Sequence, residues 1–156
     1  MGELGRESGL TILQVLSWLS YGGVESYAIR LARGLKERGH RVLVASHGGQ
    51  LVPQLEASGI EHFHLNFAGG RMLPGAIALK RLLEREHVDI VNAHNWRAGS
   101  VAYMACRRAG VPYVLTIHGT RSPVNRYTVY YWSRRVAVVS EASRRNLIDG
   151  FGLPPE

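Results

Sequence analysis

The sequence alternates from end to end between short apolar runs and amphipathic helical stretches, and this alternation is the feature that most restricts its fold. Residues 10–16 read Leu-Thr-Ile-Leu-Gln-Val-Leu, and such continuous apolarity is typical of a strand that is buried on both faces. The next stretch, residues 24–38, places Val24, Ala28, Leu31 and Leu35 on one helical face. Because parallel strands need long crossovers, usually helices, the alternation predicts an α/β protein.

The same cycle repeats along the whole chain. Strands are predicted over residues 10–16, 41–46, 61–65, 88–92, 112–117 and 135–139. Helices are predicted over residues 24–38, 50–58, 97–108, 124–133 and 141–149, and a further one has Pro74 at its first position. Ser140 is the predicted N-cap of the last helix. We therefore predict a Rossmann-like, doubly wound parallel sheet of about six strands in the order 3-2-1-4-5-6.

Length and composition favour one globular domain. The chain has 156 residues, of which 46% are hydrophobic and 20% charged, so a disordered or fibrous chain is excluded. We assign residues 1–9 to a flexible N-terminus and residues 10–156 to the domain. No apolar run is long enough to span a membrane, and residues 1–9 do not resemble a signal peptide, so we expect a cytoplasmic protein. Cys106 is the only cysteine, which excludes an intrachain disulfide.

The chain is basic, and its basic residues are mostly arginine. It carries 19 Lys and Arg against 12 Asp and Glu, a net charge of +7, and only Lys36 and Lys80 are lysines. Arginine suits phosphate and carboxylate groups, so phosphorylated small molecules and anionic membrane surfaces are candidate partners. Genome composition is an equal alternative explanation for the arginines. The basic residues are scattered along the sequence, and we expect no nucleic-acid partner.

Three loops at predicted carboxyl ends of strands carry the unusual residues. They are Ser-Tyr-Gly-Gly-Val-Glu at 20–25, Asn-Ala-His-Asn-Trp-Arg at 92–97 and His-Gly-Thr-Arg at 118–121. In doubly wound sheets, ligands bind at this edge, where the strand order reverses. We call this edge the crest and predict that Gly22, Gly23, His94 and His118 lie on its ligand side, with both histidines in loops. A plain tight turn remains an alternative for the glycine pair, and dipole stabilisation alone could account for Glu25.

The histidines and the aromatic residues suggest other sites with less force. His94 and His118 could converge, but two imidazoles are an incomplete zinc shell, and we predict no metal site and no hydrolytic triad. His62 and His64 alternate on strand three, which favours surface or packing roles. Residues 121–135 mix tyrosine and tryptophan with arginine. This mixture suits a sugar platform, a membrane interface or nucleic acid, and equally a helix that packs its aromatic side chains on the sheet.

Five segments together resemble a known family. They are Gly-Gly-Val-Glu at 22–25, Leu-Ala-Arg-Gly-Leu-Lys-Glu-Arg-Gly-His at 31–40, Asp-Ile-Val-Asn-Ala-His at 89–94, Val-Pro-Tyr-Val-Leu-Thr-Ile-His-Gly at 111–119 and Val-Ala-Val-Val-Ser-Glu-Ala-Ser at 136–143. Their order and spacing resemble the N-terminal domain of family 4 glycosyltransferases over nearly the whole chain. One departure is Asn92, where the family often has a histidine.

The resemblance implies a fold, a reaction and site residues. It implies the N-terminal half of a GT-B enzyme, in which this domain holds mainly the acceptor and a second domain binds the nucleotide-sugar donor. Transfer in the family is retaining and generally needs no metal or other cofactor. Carried over by position, Gly22 and Gly23 would touch the donor phosphates, and His118 would contact the transferred sugar as the catalytic residue. The acceptor would be bound by Glu25, Arg71, His94, Asn95, Thr120 and Arg121.

The resemblance also implies partners. The family's C-terminal donor-binding domain is absent from these 156 residues, so we expect the chain to be inactive alone and to pair with its own C-terminal domain. The expected substrates are a nucleotide sugar and a glycan or lipid-linked acceptor, with peripheral contact to the inner face of an anionic membrane. The alternative function is a stand-alone Rossmann-like module that binds a nucleotide or a sugar phosphate. A nucleic-acid binder, which would show salt-sensitive retention of DNA or RNA, is a third possibility.

Overall fold

The computed structural model of the chain describes residues 9–120 and 135–154. Arg121, the helix predicted over residues 124–133 and nearly all of the aromatic and basic segment 121–135 lie outside the described residues. In the described part, a parallel six-stranded sheet has the order β3-β2-β1-β4-β5-β6. The predicted fold class and strand order are therefore confirmed. Its strands are β1 (Thr11–Val15), β2 (Arg41–Ser46), β3 (Glu61–His64), β4 (Ile90–His94), β5 (Tyr113–Ile117) and β6 (Val136–Val138).

Helices follow the strands and cover both faces of the sheet. They are α1 (Gly23–Glu37), α2 (Val52–Ala57), α3 (Met72–Arg85), α4 (Trp96–Ala109) and α5 (Glu141–Phe151). The ends of α1 and α5 follow local rules. After α1, Gly39 takes a φ of 88°, which glycine adopts without the cost of a β-carbon. The hydroxyl of Ser140 accepts a hydrogen bond from the Ser143 amide, as predicted for the N-cap of the last helix.

Alternate residues of the strands enter two separate apolar cores. On one face, α3, α4 and α5 pack on a cluster that includes Leu13, Leu43 and Val91. On the other face, α1 and α2 pack on a cluster that includes Val42 and Val44. Gln14 pairs in register with Val44 and therefore lies on the face that α1 covers. Polar side chains on that face can thus be buried between the sheet and α1.

The structure corrects two details of the predicted elements. The fourth strand runs from Ile90 to His94, two residues later than the predicted span 88–92, so His94 is a strand residue and not a loop residue. The strand continues because the His94 backbone is in register with Thr116 of β5. Helix α3 begins at Met72, which makes Pro74 its third residue, where the missing amide hydrogen still costs no helical hydrogen bond. No described helix is long and apolar enough to cross a membrane.

Candidate active site

Helix α1 begins directly at the glycine pair of the crest. Gly22 is the N-cap in an extended conformation, and Gly23 is the first helical residue. The Glu25 carboxylate folds back over Gly22, where it occupies the position that a β-carbon on residue 22 would take. No atom lies within 4 Å of the corresponding position at Gly23. A side chain on residue 22 would therefore displace the Glu25 carboxylate, whereas Gly23 leaves an open surface at the helix N-terminus.

A chain of buried polar side chains leads from the sheet to the crest. The Thr116 hydroxyl donates to the Asn92 side-chain oxygen Oδ1 at 2.8 Å, and the Asn92 side-chain nitrogen Nδ2 donates to Gln14 Oε1 at 3.1 Å. The same oxygen lies 2.6 Å from His94 Nε2, and His94 Nδ1 lies 3.1 Å from His118 Nε2. Four strand residues from β1, β4 and β5 thus connect to the histidine that follows β5.

His94 is fully buried and neutral. Its side chain has no exposed surface, and burial lowers the pKa of its imidazole to about 3, with the neighbouring His118 as the smaller cause. A neutral imidazole has one N–H and one acceptor nitrogen. Gln14 Oε1 is an amide oxygen and can only accept, so it accepts from His94 Nε2 as well as from Asn92. His94 Nδ1 is then the acceptor toward His118. The predicted convergence of the two histidines is present, with His94 held beneath the surface.

Helix α1 packs against this pair of histidines. The Tyr27 ring meets the His118 ring edge-on with centroids 5.1 Å apart, and it meets the His94 ring with centroids 6.0 Å apart. Edge-to-face contacts of this kind favour one ring orientation. The glycine pair begins the same helix, so the first crest loop and the two histidines share one support.

Asn95 holds the junction between β4 and α4 in a strained conformation. Its φ of 77° and ψ of 166° lie in a region that almost only glycine adopts, and this costs an ordinary residue about 1–3 kcal/mol. Its side-chain oxygen caps α4 by accepting hydrogen bonds from the Arg97 and Ala98 amides at 3.1 Å. Its amide nitrogen donates to the Ser17 hydroxyl at 3.3 Å. Strain stored at a helix start beside a cavity is a common mark of a functional site.

A cavity of about 310 Å³ opens beside Asn95 at the carboxyl ends of four strands. Aromatic side chains supply much of its wall, and His47 adds a buried ring nitrogen, Nδ1, that has no hydrogen-bond partner among the described residues. A concave site with apolar walls and a few polar groups is typical of small-molecule binding. The lining residues are Ser17, Trp18, His47, Phe67, Ala68, Asn95, Trp96 and Arg97.

Most of these lining residues were not selected from the sequence. Trp96 and Arg97 belong to the crest loop at 92–97, yet only His94 and Asn95 were chosen from it. His47 and Trp18 follow β2 and β1, so their place at the carboxyl ends of strands was a usable signal. The inward position of Phe67, which is 3% exposed, depends on how the loop after β3 folds, and nothing in the sequence indicates it.

The other predicted site residues lie at the same edge but do not line the cavity. Arg71 is the exposed N-cap of α3, a few residues after the loop that contributes Phe67 and Ala68. Thr120 is exposed beyond His118, and Arg121 lies outside the described residues. Among residues 9–120 and 135–154, no three His, Cys, Asp or Glu side chains come together as metal ligands would. The structure thus brings His94 into contact with His118 and places Asn95 on the wall of the cavity, and the functional roles of all the predicted site residues stay predictions.

The fold of the chain is similar to that of solved glycosyltransferase structures. The chain is similar to a glycosyltransferase from Rickettsia africae, with a TM-score of 0.81 and 25% identity over 94% of this chain and 41% of that one. It shares its fold with HepE of Anabaena, solved in complex with UDP and glucose, at a TM-score of 0.75 and 22% identity over 90% of this chain and 41% of that one.

Sequence comparison gives the same result. The chain is 30% identical over 168 aligned positions to a D-inositol 3-phosphate glycosyltransferase of Geodermatophilus obscurus, which covers 86% of this chain and 37% of that protein. It is 28% identical over 113 positions to one from Thermobispora bispora, covering 62% of this chain and 26% of that protein. The chain therefore spans well under half the length of these relatives. The family model described as Glycosyltransferase Family 4 matches residues 21–156, and the chain belongs to that family, as an N-terminal domain of GT-B type.

Proposed function

We propose that this chain is the acceptor-side domain of a retaining glycosyltransferase that transfers a sugar from a nucleotide sugar to a glycan or lipid-linked acceptor. The observation that carries the proposal is the crest, where the hydrogen-bonded side chains of Gln14, His94 and His118 end beside the helix that begins at the glycine pair. Asn95, the residue after His94, lines an aromatic cavity at the same edge. Family membership supports sugar transfer, and the UDP bound to HepE supports a nucleotide-sugar donor.

The crest residues divide the work in this proposal. Gly23 leaves open the N-terminus of α1, and a helix N-terminus attracts the phosphates of a donor. His118 contacts a hydroxyl of the transferred sugar. The acceptor ring enters the cavity, where Trp18 and Trp96 can cover its apolar face.

The chemistry of transfer needs groups that stabilise the charge on the leaving diphosphate. Among the described residues of the crest, we take the open end of α1 and nearby arginines to be the groups that contribute to this. We therefore propose that a C-terminal domain supplies the donor clamp, that transfer needs no metal or other cofactor, and that the isolated chain binds without turnover.

The test separates binding from turnover in the purified 156-residue chain. Nucleotide sugars and a panel of acceptors that includes D-inositol 3-phosphate are added together, and the release of nucleoside diphosphate is measured. In parallel, saturation-transfer NMR detects which panel members bind. We expect binding of an acceptor that is lost in Trp96→Ala and kept in Tyr103→Phe, a variant of an aromatic residue of α4 that does not line the cavity.

Two outcomes would overturn parts of the proposal. Acceptor-dependent diphosphate release by the isolated chain would mean that the chemistry lies in this half. Binding of a free nucleotide without any acceptor, unaffected by Trp96→Ala, would favour the stand-alone nucleotide-binding module.

A further inference from the structure

We propose that Gln14 and His94 are positioning residues that fix the tautomer of His118, so that its Nε2 always carries the proton and Nδ1 is the ring atom that accepts hydrogen bonds. The tautomer is a property of this chain alone. Only its use on a transferred sugar rests on the proposed function.

The orientations of the Asn92 and Gln14 amide groups set the direction of the hydrogen bonds. The Asn92 side-chain oxygen Oδ1 faces the Thr116 hydroxyl, which donates to it, so the Asn92 amide nitrogen faces Gln14 and donates to Gln14 Oε1 at 3.1 Å. Gln14 Oε1 has no hydrogen to donate, so it also accepts from His94 Nε2, which lies 2.6 Å away. His94 therefore carries its single proton on Nε2.

The protonation of His94 determines which nitrogen of His118 carries a proton. With its proton on Nε2, its Nδ1 has a lone pair and can only accept, and His118 Nε2 lies 3.1 Å from it. His118 must therefore donate from Nε2. The neutral ring of His118 then has its lone pair on Nδ1, and a change of its charge is a change at Nδ1.

The surroundings keep these hydrogen-bonded side chains in one arrangement. Gln14 and His94 are both fully buried, so water cannot replace the hydrogen bond between them. The Tyr27 ring contacts both imidazoles edge-on and restricts their rotation. A ring that can neither flip nor exchange its Nε2 partner keeps one tautomer.

The burial of Gln14 indicates that these hydrogen-bonded side chains do more than fill space in the core. Its amide nitrogen is buried without a hydrogen-bond partner among the described residues, a cost that an apolar side chain of similar size would avoid. An apolar residue at this position would fill the space between Val44 and Asn92 but would leave His94 without an acceptor at Nε2. The amide oxygen is the part of Gln14 that the arrangement needs.

The test is nitrogen-15 NMR of the histidine side chains in the 156-residue chain, which distinguishes protonated from unprotonated ring nitrogens. In the unsubstituted chain at neutral pH, we expect His118 to show a protonated Nε2 and an unprotonated Nδ1. In Gln14→Leu, His94 loses the acceptor that orients it, and the His118 signals should shift to values averaged between the two tautomers. Gln14→Glu keeps an oxygen acceptor and should retain the single tautomer.

A matched control is Ser46→Ala. It removes a buried hydroxyl of β2 that forms a hydrogen bond with His62 and none with Gln14, His94 or His118. It should leave the His118 spectrum unchanged, and circular dichroism confirms that each variant is folded. If His118 carries its proton on Nδ1 in the unsubstituted chain, the proposal is wrong, and this measurement needs no variant. If His118 keeps a single Nε2–H tautomer in folded Gln14→Leu, the proposal is also wrong, because Gln14 would then not be what fixes the tautomer of His118. Neither result depends on glycosyl transfer.

Discussion

Asn95 combines two opposed effects in one residue, because its side chain caps α4 while its backbone occupies a conformation suited to glycine. Asn95→Gly would relieve strain of about 1–3 kcal/mol and lose only a few tenths through the cap. We expect it to raise the free energy of unfolding by about 1 kcal/mol and to weaken acceptor binding. Asn95→Ala keeps the strain and loses the cap, so it should lower the free energy of unfolding by about 1–2 kcal/mol. Urea denaturation measures the free energy of unfolding of both variants, and an Asn95→Gly variant less stable than the unsubstituted chain would mean that the backbone is unstrained.

His94 should make the stability of the chain dependent on pH. Its pKa is about 3 when folded and near 6.5 when unfolded, so below about pH 6.5 the unfolded chain binds a proton that the folded chain excludes. This contribution is complete above pH 6.5 and is lost as the pH falls toward 3. Between about pH 6.5 and pH 5, His94→Gln should reduce the slope of unfolding free energy against pH by up to about 1.4 kcal/mol per pH unit.

His62 provides the comparison for this pH effect. Burial also lowers its pKa, so His62→Gln should reduce the slope in the same direction, but less, because His62 is only half-buried. The carboxyl group of Glu86, whose pKa is lowered by hydrogen bonds from Arg41 and Arg85, loses its contribution only below about pH 4.5, outside this window. Identical slopes for the unsubstituted chain and His94→Gln would mean that His94 is not held neutral.

At the scale of the elements, two helical glycines differ sharply in what lies next to them. A β-carbon on Gly75 of α3 would come within 2.6 Å of the Phe67 β-carbon, whereas one on Gly34 of α1 would meet nothing within 4 Å. We expect Gly75→Ala to lower the free energy of unfolding by about 1–3 kcal/mol through overpacking against the loop that lines the cavity. Gly34→Ala should raise it by about 0.5–1 kcal/mol, since alanine favours helix. Thermal or urea denaturation compares the two, and a stabilised Gly75→Ala would contradict the close packing of α3.

Element positions were largely predictable from the sequence, and side-chain partnerships were not. Periodicity located the strands, because apolar runs alternate with helical faces along the chain, and the usual topology of doubly wound sheets supplied their order. The fourth strand was placed two residues too early, since His94 is polar and reads as the start of a loop. Its burial depends on Gln14, 80 residues away in the sequence, and on His118. Such pairs arise only when the sheet brings three strands together, and no local pattern encodes them.

For the whole molecule, the distribution of charge is more informative than its sum of +7. Several basic residues near the opposite edge and on the outer helices are paired with carboxylates, among them Arg41 with Glu61 and Glu86. At the crest, Arg71 and Arg97 are exposed and form no ion pair with a described residue. Trp18 and Tyr21, 47% and 80% exposed, follow β1 at the same edge. Aromatic and basic side chains together are typical of proteins that contact a membrane interface.

The last prediction is that the chain binds anionic lipid vesicles through the crest. Each basic side chain near an anionic surface contributes about 1 kcal/mol, so Arg71→Ala combined with Arg97→Ala should weaken binding about tenfold or more. The matched control combines Arg38→Ala with Arg108→Ala, which removes the same charge from helix ends at the opposite edge of the sheet. Cosedimentation at low salt measures the fraction bound. Equal sedimentation with neutral and anionic vesicles would exclude membrane contact, and equal losses in the two double variants would mean that net charge, and not the crest, drives binding.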